Sequence, residues 1–174
     1  VNYGNELGQG GVGATSGVTV NLDITTAQNT GGGGIDTIVG FENIGGSDFA
    51  DLFTGLTNQT STILGLGGND SIIGGNVADS LYGMDGDDTV DGGAGNDNIE
   101  GNNGNDSLLG GAGSDSLRPD GDASPNIIGN DFIDGGLGVD MLSYYGDTFA
   151  GVTVNLSLLT AQNTGGGGTE TIRN

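Results

Sequence analysis

Between residues 65 and 118 a large apolar residue recurs at every ninth position: Ile72, Leu81, Val90, Ile99, Leu108 and Leu117. The residues on either side of it are mixed, and include Ser71, Ser80, Asp91 and Arg118. A triplet such as Asn98-Ile99-Glu100 therefore reads as a short strand with only its middle residue turned inward. The six residues between successive triplets are rich in Gly, Asn and Asp, which build turns. Beyond an insert at 119–125, bounded by Pro119 and Pro125, the spacing resumes with Ile133 and Leu142. The pattern predicts a chain of nine-residue strand-and-turn units.

Each unit can be written G-G-x-G-x-D-x-U-x, with U the large apolar residue. Residues 92–100, 110–118 and 135–143 fit at every fixed position. Residues 65–73, 83–91 and 101–109 lack only the second Gly, and 74–82 has Val77 in place of the fourth-position Gly. Fainter units lie outside. Residues 31–39 fit fully, 46–54 keep Asp51 and Phe53, and 165–173 carry Glu170 where the Asp should be. Two units make an 18-residue coil, and stacked coils make two parallel sheets, a β-roll. Turns on one edge then lie about 4.8 Å apart. That spacing lines up Asp70, Asp88 and Asp106 on one edge, and Asp79, Asp97 and Asp115 on the other. The 16-residue stretch 119–134 preserves the alternation, so Asp131 extends the first ladder and Asp140 the second.

A coarser repeat is superimposed. Residues 17–34 and 151–168 are identical at 15 of 18 positions, an offset of 151 − 17 = 134. The chain thus reads as a segment of a longer tandem protein. Residues 1–30 are a flanking inter-array segment with a strand, 31–64 degenerate coils, 65–143 the main roll, and 144–174 the start of the next unit.

Charge sharpens the picture. The 174 residues carry 23 Asp plus Glu against 2 Lys plus Arg, a net charge of −21, with no Cys and no His. Nothing here neutralises phosphate, which excludes nucleic-acid binding. No apolar run is long enough to insert in a membrane as a helix, and residues 1–16 do not read as a signal peptide. Thiolate and imidazole metal ligands are absent. One buried large side chain per unit returns about 1.5–3 kcal/mol, little against the roughly 1 kcal/mol or more that each ordered residue costs. The stacked carboxylates also repel one another. A cation between them resolves both problems, and Ca²⁺, a hard ion taking six to eight oxygens, suits carboxylates and backbone carbonyls better than Mg²⁺ does.

The nonapeptides resemble the repeats-in-toxin (RTX) calcium-binding family, roughly over residues 31–143. That resemblance implies an all-β fold, a right-handed two-sheet parallel β-roll, with several calcium ions in its turns. Each ion would sit between stacked turns, bound by the sixth-position Asp residues (Asp70, Asp79, Asp88, Asp97, Asp106, Asp115, Asp131, Asp140) and by groups of the first four positions. Those positions are Gly83, Asp85 and Gly86; Gly92, Ala94 and Gly95; Gly101, Asn103 and Gly104; and Gly110, Ala112 and Gly113. One ion per adjacent pair in each ladder gives about five to eight.

The family resemblance also implies export from a Gram-negative bacterium by one-step (type I) secretion, in the unfolded state. The expected role is a non-enzymatic, calcium-folded module of a large secreted or surface protein, adhesin-like. Its partners would be calcium, neighbouring modules of the same chain, and an extracellular polysaccharide or cell-surface ligand. The alternative is an accessory roll of a secreted polysaccharide-modifying enzyme, or of another RTX exoenzyme or toxin. Catalysis in the segment itself is disfavoured, because the Asp residues recur with the repeat. Arg118 and Arg173 are its only cationic side chains, leaving little to stabilise developing negative charge. Weaker signals have plain readings. Gly8, Gly10 and Gly13 match a dinucleotide fingerprint but lack a βαβ setting. Asp120, Asp122 and Ser124 start like an EF-hand loop but read as a solvated surface loop. Tyr144, Tyr145 and Phe149 read as an end-of-array packing cluster. Asn69, Asn96, Asn105 and Asn130 form only part of an ice-binding row.

Overall fold

The computed structural model describes residues 16–121, 129–144, 156, 160–165 and 168–173. The dinucleotide-like glycines, Asp122, Ser124, Tyr145, Phe149 and most of the start of the second tandem unit lie outside these. All regular structure among the described residues is β. One sheet has eight strands, in the order Thr19–Asn21, Leu52–Thr54, Ser71–Gly75, Thr89–Gly93, Ser107–Leu109, Phe132–Asp134, Gly168–Arg173 and Gln162–Gly165. The other has six, in the order Met141–Leu142, Ser116–Arg118, Asn98–Asn103, Ser80–Asp85, Thr62–Gly67 and Asn43–Gly45. Every pairing in the two sheets is parallel except the last in the first sheet. Successive units alternate between the sheets, as a roll of two-unit coils requires.

The register places inward residues on inward residues. Ile72 pairs with Val90, Val90 with Leu108 and Leu108 with Ile133. Across the roll, Leu81 pairs with Ile99, Ile99 with Leu117 and Leu117 with Leu142. All are buried except Leu142, which is half-buried at the end of its sheet. The same apolar column runs further in the N-terminal direction than the regular repeat does, through Phe53, Ile63, Ile44, Val18 and Val20. Ile63 and Ser61 belong to a stretch where the nine-residue frame slips by one, so neither stands out as part of a unit.

Residues 31–39 depart from their nonapeptide reading. Gln28–Gly31 and Gly34–Asp36 form an antiparallel hairpin. The Asp36 carboxylate accepts from Thr30 Oγ1 at 2.6 Å, apart from either Asp ladder. A run of glycines followed by Asp is compatible with both a tight hairpin and a roll turn, and here the neighbouring Gln28–Gly31 strand decides.

The turns explain the glycines. Gly86, Gly95, Gly104 and Gly113, all at the fourth position, have φ between 126° and 154°. On the edge of Asp70, Asp88 and Asp106 the second position is not glycine, yet Leu66, Met84 and Asn102 adopt φ of 81°, 84° and 75°. The missing second glycines therefore leave the turn shape intact, at a cost of about 1–2 kcal/mol each. A Cβ on Gly104 would meet the Gly86 carbonyl of the adjacent coil. Gly104→Ala should accordingly lose at least ~2 kcal/mol, read as a lower melting temperature in saturating calcium. An unchanged melt would show that the turn is softer than its geometry implies.

Candidate metal centre

The strands bring the sixth-position side chains to the two edges of the roll, where all are buried except Asp140, which is half-buried at the end of its ladder. Each carboxylate reaches across to the previous coil. On the first edge the amides of Asp51, Asp70, Asp88 and Asp106 donate to Oδ1 of Asp70, Asp88, Asp106 and Asp131, at 2.7–2.8 Å. On the second, the amides of Ser61, Asp79, Asp97 and Asp115 donate to Oδ1 of Asp79, Asp97, Asp115 and Asp140, at 2.5–3.1 Å. Asp131 and Asp140 thus join their ladders across the insert, 25 residues from their partners instead of 18. Two members of the ladders are not Asp. Ser61 holds that place at the N-terminal end of the second ladder. Glu170 continues the first, its Oε2 accepting from the Asp131 amide at 2.7 Å.

The second carboxylate oxygen is the informative one. Oδ2 of Asp70, Asp79, Asp88, Asp97, Asp106, Asp115 and Asp140 is buried with no hydrogen-bond partner. Each turns toward the first-position glycine of its own unit. A Cβ on Gly92 would lie 2.5 Å from Asp97 Oδ2 and 2.6 Å from the Gly110 carbonyl of the next coil. On Gly101 it would meet Asp106 Oδ2 and, at 2.6 Å, the Pro119 carbonyl. Gly83 and Gly110 make the same cradle with Asp88 and Asp115. Lone pairs converge in a space that only a glycine leaves open. Buried ionised oxygens without donors are costly, and an oxygen-coordinating cation is the group that relieves them. The residues present fit calcium: carboxylates from the sixth positions, carbonyls from the turns, no soft ligand.

The remaining first-to-fourth-position residues are placed as follows. The Asn103 and Ala112 carbonyls accept from the Gly86 and Gly95 amides, each at 2.8 Å. The Ala94 amide donates to the Gly75 carbonyl at 2.9 Å. The Asp85 side chain is exposed and accepts from Asn103 Nδ2 at 2.5 Å. Its carboxylate is thus engaged outside the buried ladder.

The fifth position carries a second ladder that runs the other way. The amides of Asp87, Asn105 and Asn130 donate to Oδ1 of Asn69, Asp87 and Asn105, each one coil earlier. Ser114 does the same to Asn96. These side chains stitch coil to coil.

Asp120 is not on a solvated loop. It is 3 % exposed, and its Oδ1 accepts from the Gly129 amide at 3.0 Å. Oxygens of Asp120, Asp131 and Glu170 lie within 4.8 Å of one another. The insert therefore adds a third carboxylate where the first ladder passes from Asp131 to Glu170. It could be read as a surface loop only because no repeat position marks it.

Burial dominates the electrostatics. It pushes the carboxyls of Asp88 and Asp97 up to about 6, Asp70 to about 7 and Asp106 to about 8, helped by neighbouring carboxylates and opposed by the backbone amides they accept from. Asp79, Asp115 and Glu170 rise for the same first reason. Exposed Asp87 goes the other way, lowered chiefly by its bond from the Asn105 amide. Burial therefore disfavours the charged form of these carboxyls as long as no cation offsets it.

Comparison with known families agrees with this geometry. Residues 64–99, 82–117 and 128–144 match the RTX calcium-binding nonapeptide repeat. No curated protein matches the chain. The matched stretches coincide with the coils whose Asp ladders and open glycine cradles are described above. Over residues 64–117 and 128–144, this chain carries RTX calcium-binding nonapeptide repeats.

Proposed function

We propose that the chain is a non-enzymatic structural segment of a large protein acting outside the cell, which leaves the cell unfolded and folds where calcium is plentiful. The observation that carries this reading is the stack of buried carboxylates whose second oxygens meet turn carbonyls at vacant glycine positions. Such a stack is self-repelling until a cation neutralises it, so ion binding and folding become one event. The same carboxylate geometry recurs along both edges, which suits a scaffold better than a single reaction centre. An extended acidic rod of this kind serves as a spacer or surface-exposed arm, in an adhesin-like setting.

Titrating the purified chain with calcium, followed by far-UV circular dichroism, tests the reading. The midpoint of β-structure formation should fall between ~10 µM and ~1 mM, above cytosolic levels and within reach of extracellular ones. A midpoint below ~1 µM would mean folding inside the cell and would overturn the export-then-fold order.

A further inference from the structure

The two copies of the coarse repeat show different halves of one junction. In the second copy the hairpin of Gln162–Gly165 and Gly168–Arg173 adds to the end of the roll. Phe132 pairs with Thr171, Ile133 with Ile172 and Asp134 with Arg173, in parallel. In the first copy the hairpin of Gln28–Gly31 and Gly34–Asp36 has the same register and the same bulge, shifted by 134 residues. Gln28 faces Asp36 as Gln162 faces Glu170, and Gly31 faces Gly34 as Gly165 faces Gly168. There the other flank is visible. Val18 bridges Gly31 antiparallel, and the Gly32 amide donates to the Gly17 carbonyl at 3.1 Å. Thr19–Asn21 then pairs in parallel with Leu52–Thr54 and opens the next run of coils.

Overlaying the copies gives an unbroken sheet: last coil, hairpin, first strand, next coils. What each copy lacks is what the other supplies. No described strand pairs with Thr37–Val39, the counterpart of Thr171–Arg173, and Ile35 beside it is 76 % exposed. Leu22 is 5 % exposed in the first copy. Its counterpart Leu156 is 68 % exposed and lines an apolar cavity with Leu117, Leu142 and Ile172.

We propose that the edge at Thr37–Val39 is a docking site for the last coil of a preceding copy of this unit, with Phe132 seated opposite Thr37. The hairpin is then a splice that joins tandem units into one continuous solenoid, with no flexible linker between them. The antiparallel Gln28–Gly31 strand reverses direction twice, so a parallel sheet can resume after it. This inference goes beyond calcium-coupled folding and does not depend on which cation fills the turns.

The test is a two-unit chain, residues 1–173 continued by residues 40–174, since position 173 corresponds to position 39. In saturating calcium it should scatter X-rays as one rod, about 134 residues of roll longer than the single chain, and melt in one transition above the single-unit temperature. Thr171→Pro in that chain removes the amide that donates to the Asp131 carbonyl at 2.7 Å and should split the melt in two. Thr37→Pro in the same chain, at the edge with no preceding coil, should leave it single. Two independent transitions or the scattering of two hinged bodies in the unsubstituted chain would overturn the splice. Equal damage from Thr37→Pro would also overturn it, since that edge would then be covered by the chain's own N-terminal residues. Circular dichroism of the single chain with calcium reports separately on ion-coupled folding, so failure of one reading is distinguishable from failure of the other.

Discussion

With calcium chelated at neutral pH, the roll should lose its ordered β-structure, and acidifying the same chelated sample toward pH 4 should restore part of it. The first half follows from the buried ladder, where ionised carboxylates face one another and turn carbonyls with no donor between them. The second follows from proton linkage. Asp70, Asp88, Asp97 and Asp106 have carboxyls raised from 3.8 to between about 6 and 8 in the folded chain. Between pH ~4 and those values the folded form holds protons that the unfolded chain has released. Stability without metal therefore falls as pH rises through that window, is lowest above it, and recovers on acidification. With calcium bound the sign reverses, because protons then compete with the ion for the same oxygens. Far-UV circular dichroism against pH, with EDTA and with 5–10 mM calcium added, should give two curves of opposite slope. Parallel curves, or full β-structure in EDTA at pH 8, would remove the cation from the account of folding.

Asp97→Ala should cost more than one bound ion. Asp97 sits mid-ladder. Its Oδ1 accepts from the Asp79 amide at 2.8 Å, and its own amide donates to Asp115 Oδ1 at 2.9 Å. Its Oδ2 shares the Gly92 cradle with the Gly110 carbonyl. Truncation leaves the Asp79 amide buried without an acceptor, about 1–3 kcal/mol, and opens the cradles on both sides. Native mass spectrometry should show a loss of about two ions, and the calcium midpoint for folding should rise several-fold. Asp97→Asn separates the causes: its carbonyl oxygen can keep the amide bond while its charge is gone, so it should fold better than Asp97→Ala at high calcium but lose ions similarly. Asp48→Ala, an exposed change of the same charge, should alter neither. Loss of a single ion in Asp97→Ala would mean that neighbouring sites do not share carboxylates.

Much of this architecture is legible in the sequence because the repeat is short and strict. Ile72 to Leu117 at nine-residue spacing fixes the inward column, and alternation of units fixes which Asp stacks on which. Even Asp131 and Asp140 are placed correctly across the insert, because the stretch 119–134 still counts as one unit. Legibility ends where the chemistry is kept without the letters. Ser61 occupies a ladder place with a hydroxyl, after a frame slip of one residue that hides Ile63 as well. Asp120 is buried by the fold of the insert, which no periodicity announces. Residues 31–39 carry every letter of the repeat and still form a hairpin, because glycines and an Asp specify a turn without specifying which strand comes next to it. Asn69, Asn96, Asn105 and Asn130 invite a surface role when read as a row, whereas their side chains accept backbone amides or, at Asn130, donate to the coil before.

The opposed fifth- and sixth-position ladders also decide how the molecule answers to force. Nearly all bonds between coils lie along the long axis, so a pull on the two ends loads one coil boundary at a time. Each 18-residue coil released yields up to roughly 60 Å of extended chain while the coils behind it stay wound. Tension should be met by paying out length in small steps, and slack taken up again as the coils rewind. A solenoid of this construction should yield under a jolt without snapping open as a whole.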